Sequence, residues 1–194
     1  MSHQLGLFSA DKRVVIADDA TGKIVYSPGV FSPVESERLF CSLRDDVPWR
    51  ADRRWMYDRE VDVPRLVAYF QEAPFPPPLE SIRERVEPLC GVVIETIGLN
   101  FYRDERDSVA WHNDRIVDYG TAPTIALVSF GSTRRMMLRT KPSAPNRRSL
   151  AIDLEPGSLL LMQGASQVHW EHSIPKERRP QAPRISVALR KASD

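Results

Sequence analysis

From Val92 onward the chain is a succession of about eight short β-prone runs, at 92–102, 108–112, 124–130, 134–139, 149–153, 158–163, 167–172 and 184–190, with turn residues between them. Runs of this length cannot bury themselves singly. They must pair antiparallel and stack, which predicts a sandwich or jelly roll. Ahead of them the pattern is mixed. Arg13–Ala17 and Lys23–Tyr26 are two β-prone runs around an Asp18–Gly22 turn. Ser32-Pro33-Val34-Glu35 opens a helix with a capping box and a proline at its first position. That helix is expected to reach about Arg44 and to bury Val34, Leu39, Phe40 and Leu43. Residues 46–63 are polar and mixed, and Leu66–Phe70 is strand-like. Pro74-Phe75-Pro76-Pro77-Pro78 is a stiff connection into a second helix, Leu79 to Cys90, closed by Gly91. The expectation is an α+β chain forming one domain over 1–194. Residues 1–91 would be helical N-terminal support and residues 92–191 the jelly-roll core.

Composition narrows the function classes. With 42% hydrophobic and 27% charged residues in 194, the balance is that of a soluble domain, not of a disordered tail, a coiled coil or a collagen-like repeat. No apolar run reaches the roughly 18 residues of a membrane span, and no basic-then-apolar leader opens the sequence. Cys41 and Cys90 make no disulfide framework, so a cytoplasmic location is expected; a monomer is the default. The net charge of +1 hides a division. Residues 131–194 carry 12 basic and five acidic side chains, residues 1–130 carry 15 and 21, and 22 of the 27 basic residues are arginine. Arginine makes planar, forked contacts with anions that lysine does not. A genome rich in arginine codons would give the same bias.

Three segments carry chemistry. In Trp111-His112-Asn113-Asp114, an extended backbone puts His112 and Asp114 on one face, an imidazole beside a carboxylate. In Gln167–Ser173, alternation groups Val168, Trp170 and His172 on an apolar face and His169 and Glu171 on the other, which favours His172 as the inward histidine. In Arg184–Arg190, Ile185, Val187 and Leu189 pack on one side while Arg184, Ser186, Ala188 and Arg190 face the other. Two arginines aimed into a barrel are costly without anionic partners. Along a strand spanning roughly 20 Å, they could hold the ends of a small dicarboxylate. The alternative is an edge strand with exposed arginines. Two histidines and one carboxylate form the facial set of non-haem Fe(II) oxygenases. A zinc hydrolase could use the same ligands, but it has no need of the arginine strand.

The chain resembles the AlkB family of Fe(II)- and 2-oxoglutarate-dependent dioxygenases. The resemblance rests on Asn100-Phe101-Tyr102-Arg103-Asp104, Asp107–Asp114, Val128-Ser129-Phe130-Gly131, Gly157–Leu160, His169–Lys176 and Pro183–Arg190. It extends upstream to Val63–Tyr69, where the family's nucleotide lid begins. It implies a double-stranded β-helix core with the N-terminal helices packed on it, with His112, Asp114 and His172 as iron ligands. It further implies that Asn100 and Tyr102 hydrogen-bond 2-oxoglutarate, that Arg184 and Arg190 pair with its carboxylates, and that Ser186 lines that site. Fe(II), 2-oxoglutarate and O2 are the implied cofactors. The implied reaction oxidises an N-methyl group on an alkylated DNA or RNA base, releasing succinate, CO2 and formaldehyde, on a base flipped from its stack or taken from a single strand.

Two departures fall on substrate recognition. After Phe70, the Gly-Asp turn and second aromatic strand that complete the family's flap are replaced by Gln71-Glu72-Ala73 and the proline tract. After Asp114, where repair members carry acidic residues, stands Arg115. Arg134, Arg135, Arg139, Lys141, Arg147 and Arg148 form a basic set where the family contacts phosphates, and Trp55, Tyr57 and Tyr69 are candidates to stack on a base. The departures keep two alternatives open. One is the same oxidation on a protein side chain or small molecule; the other is a non-catalytic nucleic-acid-binding module.

Overall fold

A computed structural model describes residues 13–56, 59–114 and 123–191; the side chains of 54–62 are outside that description. The elements in chain order are β1 (Val14–Asp19), β2 (Gly22–Ser27), α1 (Pro33–Asp46), β3 (Arg50–Met56), β4 (Arg59–Phe70), α2 (Pro77–Cys90), β5 (Thr96–Tyr102) and β6 (Val109–His112). There follow β7 (Ile125–Gly131), β8 (Arg134–Thr140), β9 (Ser149–Leu154), β10 (Leu159–Gln163), the single turn α3 (Ser166–His169), β11 (Trp170–Ile174) and β12 (Arg184–Arg190).

The strands form an eight-stranded sheet in the order β1-β2-β10-β7-β12-β5-β4-β3 and a four-stranded sheet in the order β6-β11-β8-β9. Every pairing is antiparallel. Two sheets joined this way make the jelly roll expected of the C-terminal part.

Alternation along the large sheet divides its residues between two cores. Ile97 and Leu99 of β5, Val128 and Phe130 of β7, and Ile185, Val187 and Leu189 of β12 pack under Leu39, Phe40 and Leu43 of α1 and Leu79, Ile82 and Val86 of α2. The opposite faces of the same strands supply Tyr102, Leu127 and Ala188, which meet Met136 and Leu138 of β8 and Trp170 and Ile174 of β11 between the sheets. Burying these side chains contributes roughly 1.5–3 kcal/mol each, so the period-2 pattern decides both register and layer.

The helices begin and end where expected. Ser32 accepts from the Glu35 backbone N–H and Glu35 answers with its side chain, and Gly91 closes α2 at φ 70°. One burial expectation fails: Val34 is 81% exposed, because only the Leu39, Phe40 and Leu43 face of α1 meets the sheet.

The larger correction concerns residues 1–91. This part is not mainly helical, since β1 to β4 supply four strands of the large sheet. Residues 46–63, read as polar and mixed, contain β3 and the start of β4, where the many polar residues hide the strand signal. Between Phe70 and Pro77 no strand intervenes, in line with the shortened flap. The first hairpin is locked onto α3. Gly22, at φ 111°, leaves no room for a Cβ against the Ser166 backbone, and Trp170 Nε1 donates to Thr21 Oγ1 at 3.0 Å. Among the described residues no helix is long and apolar enough to cross a membrane.

Candidate active site

The inner faces of β5 and β12 are neighbours in register. Arg184 stands opposite Tyr102, Ser186 opposite Asn100, and Arg190 opposite Thr96. Across the barrel, β6 and β11 pair His112 with His172. Of these, Asn100, Tyr102, His112, His172, Arg184, Ser186 and Arg190, with Asp114 and Arg65, line one small cavity. It opens past Val63, Pro64, Trp111 and Lys176 toward the surface. Gly98 is part of this construction, because a Cβ there would meet Arg190 Nη1 at 2.8 Å.

The two imidazoles lie with ring centroids 4.3 Å apart. His112 Nδ1 is 2.8 Å from the Ala110 carbonyl. A carbonyl only accepts, so Nδ1 carries the proton and Nε2 keeps the lone pair. Burial pushes His172 down to about 4, with the neighbouring His112 acting in the same direction; it is therefore neutral near pH 7. Burial also works against ionisation of Asp114. Arg190 and the two histidines outweigh it and hold the carboxyl below its ordinary range. Arg190 Nη2 donates to Asp114 Oδ1 at 2.7 Å. Two imidazoles and a carboxylate are the donor set that a divalent iron takes. Among the described residues no three such side chains are closed on a common point, and Asp114 rests on Arg190.

Arg184 is fully buried. Its Nη2 donates to Ser129 Oγ at 2.9 Å, while Nε and Nη1 have no hydrogen-bond partner among the described residues. Burial pushes its pKa down to about 10. A buried guanidinium with two unspent donors is costly unless an anion meets it. Asn100 Oδ1 accepts from Arg65 Nε at 2.6 Å, which fixes the amide so that its Nδ2 is the side available to donate. Such donors converging on one small cavity fit an organic carboxylate.

The basic set on β8 and β9 is placed differently. Arg134 is 1% exposed and donates to the carbonyls of Asp104, Asp107 and Pro175 at 3.0, 2.9 and 2.9 Å. It is a buried structural cation, not a surface contact for phosphate. Arg135 pairs across the strands with Asp153 at 2.9 Å. Arg139 pairs with Glu171 at 2.6 Å and stacks 4.0 Å over Trp111. Lys141 bonds the Gln167 carbonyl, and Arg148 bonds Asp19 and stacks over Trp170. Arg147 is exposed. Tyr69, 45% exposed, lies opposite Gly98 on the cavity side of β4. The Trp55 side chain, Tyr57 and Arg115 lie outside the described residues.

One expected strand also changes. Gln167–His169 turns as α3, so Val168 is 46% exposed while Trp170 and His172 still share a buried face. The turn brings in a residue that sequence reasoning passed over: Gln167, whose Oε1 accepts from the Asp114 backbone N–H at 3.0 Å. Arg65 was also passed over, since nothing local in Val63-Pro64-Arg65 shows that β4 runs beside β5.

With this geometry in view, the similarities to known proteins become interpretable. Residues 23–190 match the family model described as the 2OG-Fe(II) oxygenase superfamily. The chain belongs to that superfamily. Within it the chain is AlkB-like. It is 31% identical over 196 residues to the alpha-ketoglutarate-dependent dioxygenase alkB homolog 3 of Mus musculus, covering 91% of this chain and 68% of that protein. It is 29% identical over 184 residues to the DNA oxidative demethylase ALKBH2 of Homo sapiens, covering 84% and 70%. The solved structure of the non-heme alpha ketoglutarate dependent epimerase SnoN from nogalamycin biosynthesis superposes with a TM-score of 0.60 at 16% identity. It covers 88% of this chain and 77% of that one, and it is similar in fold. Membership in the superfamily implies Fe(II), 2-oxoglutarate and O2 as cofactors.

Proposed function

We propose that this AlkB-like dioxygenase oxidatively demethylates N-alkylated bases in DNA or RNA, with His112, Asp114 and His172 holding Fe(II). Asn100, Tyr102, Arg184, Ser186 and Arg190 would form the 2-oxoglutarate site. The observation that carries this is Arg184: a fully buried guanidinium, two of its donors unpaired, in the same cavity as the facing histidines. When bound, the iron, 2-oxoglutarate and O2 would supply the oxidation of a C–H bond, one oxygen atom going to the hydroxylated carbon and the other to succinate as the oxo acid loses CO2.

The chain's own residues do the rest. Arg184 neutralises a carboxylate deep in the cavity, and its exclusion from solvent strengthens that pairing. Asn100 Nδ2 and Ser186 add polar contacts on the adjacent rung. Arg190 keeps Asp114 ionised. His112 presents Nε2 because the Ala110 carbonyl holds its Nδ1 proton. The N-hydroxymethyl product of methyl oxidation then releases formaldehyde and returns the unmodified base.

A base in a duplex must be extruded to reach this cavity, whereas a single strand offers it at lower cost. Both relatives named above are dioxygenases or demethylases of this type. Among the described residues Lys176 lines the mouth with Arg65 and Arg190, which already hold Asn100 and Asp114, and Arg178 and Arg179 are exposed. The test is formaldehyde and succinate release from oligonucleotides carrying 1-methyladenine or 3-methylcytosine, with Fe(II) and 2-oxoglutarate supplied. Stoichiometric release is expected. Cosubstrate binding without turnover would remove the nucleic-acid substrate and leave the chemistry.

A second reading, oxidation of a protein side chain or small molecule, draws on the arginines at 134, 135, 139 and 148, which are spent inside the protein. Oligonucleotide binding that does not weaken as salt rises would favour it.

A further inference from the structure

No secondary structure holds Asp114. β6 ends at His112, and Asn113 and Asp114 follow it outside any strand. Among the described residues two tertiary contacts hold it instead. Arg190 takes the carboxylate at Oδ1, and Gln167 Oε1 takes the backbone N–H at 3.0 Å. These contacts differ in kind. Arg190 can hold Asp114 only through the carboxylate that a metal also needs, and Arg190 itself faces the cosubstrate cavity. Gln167 holds the same residue through its backbone and leaves both carboxylate oxygens to other partners.

Gln167 is built for one position. It is 2% exposed. Its Nε2 lies 3.7 Å from Met162 Sδ in β10, and its own carbonyl accepts from Lys141 Nζ at 3.0 Å, just past β8. It belongs to α3, the turn that leads directly into β11 and His172. An amide buried this deeply is costly unless its polar atoms are bonded, and its oxygen is bonded to Asp114. Gln167 thus ties the loop that presents Asp114 to the strand that presents His172.

We infer that Gln167 is a positioning residue for the metal-binding carboxylate. This rests on His112, Asp114 and His172 being the ligand set. Partners one step behind a metal ligand typically contribute about 10- to 100-fold in metal affinity. Loss of the Gln167 contact is expected to weaken metal binding within that range.

The test titrates the metal-free protein, without oxygen, with Co(II), whose visible absorption reports its coordination. Wild type, Asp114→Ala, Gln167→Met and Gln167→Glu are compared. Wild type is expected to bind and Asp114→Ala to fail. Gln167→Met, similar in size but without the acceptor, should bind about 10- to 100-fold more weakly while its metal-free thermal midpoint stays near wild type. Gln167→Glu, which keeps an oxygen at the same reach, should restore most of the affinity. Equal affinity for Gln167→Met and wild type overturns the inference. So does a loss that tracks thermal midpoint and is not restored by Gln167→Glu. If Gln167→Met does not fold, Gln167→Asn, whose carbonyl falls one methylene short, carries the same comparison. Should wild type show no Co(II) spectrum, or Asp114→Ala bind as well as wild type, it is the ligand assignment that fails.

Discussion

Arg134 on β8 and Arg184 on β12 are both fully buried, and both guanidinium carbons lie over the ring of Tyr102, at 5.6 and 5.2 Å. Their donors are used in opposite ways. Arg134 grips three backbone carbonyls and joins the 104–107 loop to the end of β11. Arg184 bonds one serine hydroxyl and keeps two donors unspent toward the cavity. Burial alone therefore does not mark an arginine as a ligand-binding group. What separates them is where the spare donors lie: among the described residues Arg184 lacks partners at Nε and Nη1 in the wall of the cavity, whereas Arg134 lacks a hydrogen bond only at Nε, which sits 3.9 Å from Glu177 and outside that wall.

Substitutions that separate the two arginines test that contrast. The largest expected effect is on stability. Arg134→Met strips three backbone carbonyls, one buried and two partly buried, of their donor at once and should cost about 4 kcal/mol, at roughly 1–3 kcal/mol per unsatisfied group. Urea unfolding measures it, and a loss below about 1 kcal/mol would show the grip to be dispensable. Arg184→Leu should do the reverse: 2-oxoglutarate affinity falls about 100-fold by calorimetry, about 2.7 kcal/mol, while the unfolding midpoint holds or rises, because a buried charge without a partner has been removed. Unchanged affinity would place the cosubstrate elsewhere.

Asp107, whose carbonyl accepts from Arg134, adds a pH dependence. Burial pushes its carboxyl up, but the hydrogen bonds and charge of Arg103 outweigh this and hold it below 3.8. A carboxyl with a lower pKa folded than unfolded stabilises the fold above its unfolded pKa. That contribution disappears as pH falls through the folded value. Wild-type stability should thus decline below about pH 4, and Asp107→Asn should decline less steeply, as urea midpoints across that range would show. The smallest effect belongs to Arg139, half-exposed over Trp111 and paired with Glu171. Arg139→Ala should cost less than about 1 kcal/mol and leave cosubstrate affinity untouched.

Period-2 alternation made much of this molecule legible. In Arg184–Arg190, Ile185, Val187 and Leu189 do lie in the helix-side core and Ala188 in the inner one, as the order of side chains demands. Alternation misled where the backbone stopped being a strand. Gln167–His169 is a helical turn, so the face drawn through Val168 was false although His172 did point inward. It was silent for Arg50–Met56, whose polar residues conceal a strand held by backbone pairing to β4. Within the basic set at 134–148, the burial of Arg134 and the intramolecular partners of Arg135, Arg139 and Arg148 escape the sequence for another reason. Charge clustering along a chain says nothing about which acceptors lie across the sheet, and Asp19, Asp153, Glu171 and the Pro175 carbonyl are distant in the chain.

The order of residues, taken alone, settles the short β runs, the capped helices, the His112–Asp114 pair and the inward face of β12, because each follows from local periodicity or from neighbours a few residues apart. Folding in three dimensions decides what those groups meet. It pairs His112 with His172 across β6 and β11, sets Gln167 under the Asp114 backbone, and consumes Arg134 inside while leaving Arg184 with donors to spare. Those outcomes depend on partners tens of residues away, and no local pattern encodes which buried donor finds an acceptor and which one waits for a ligand.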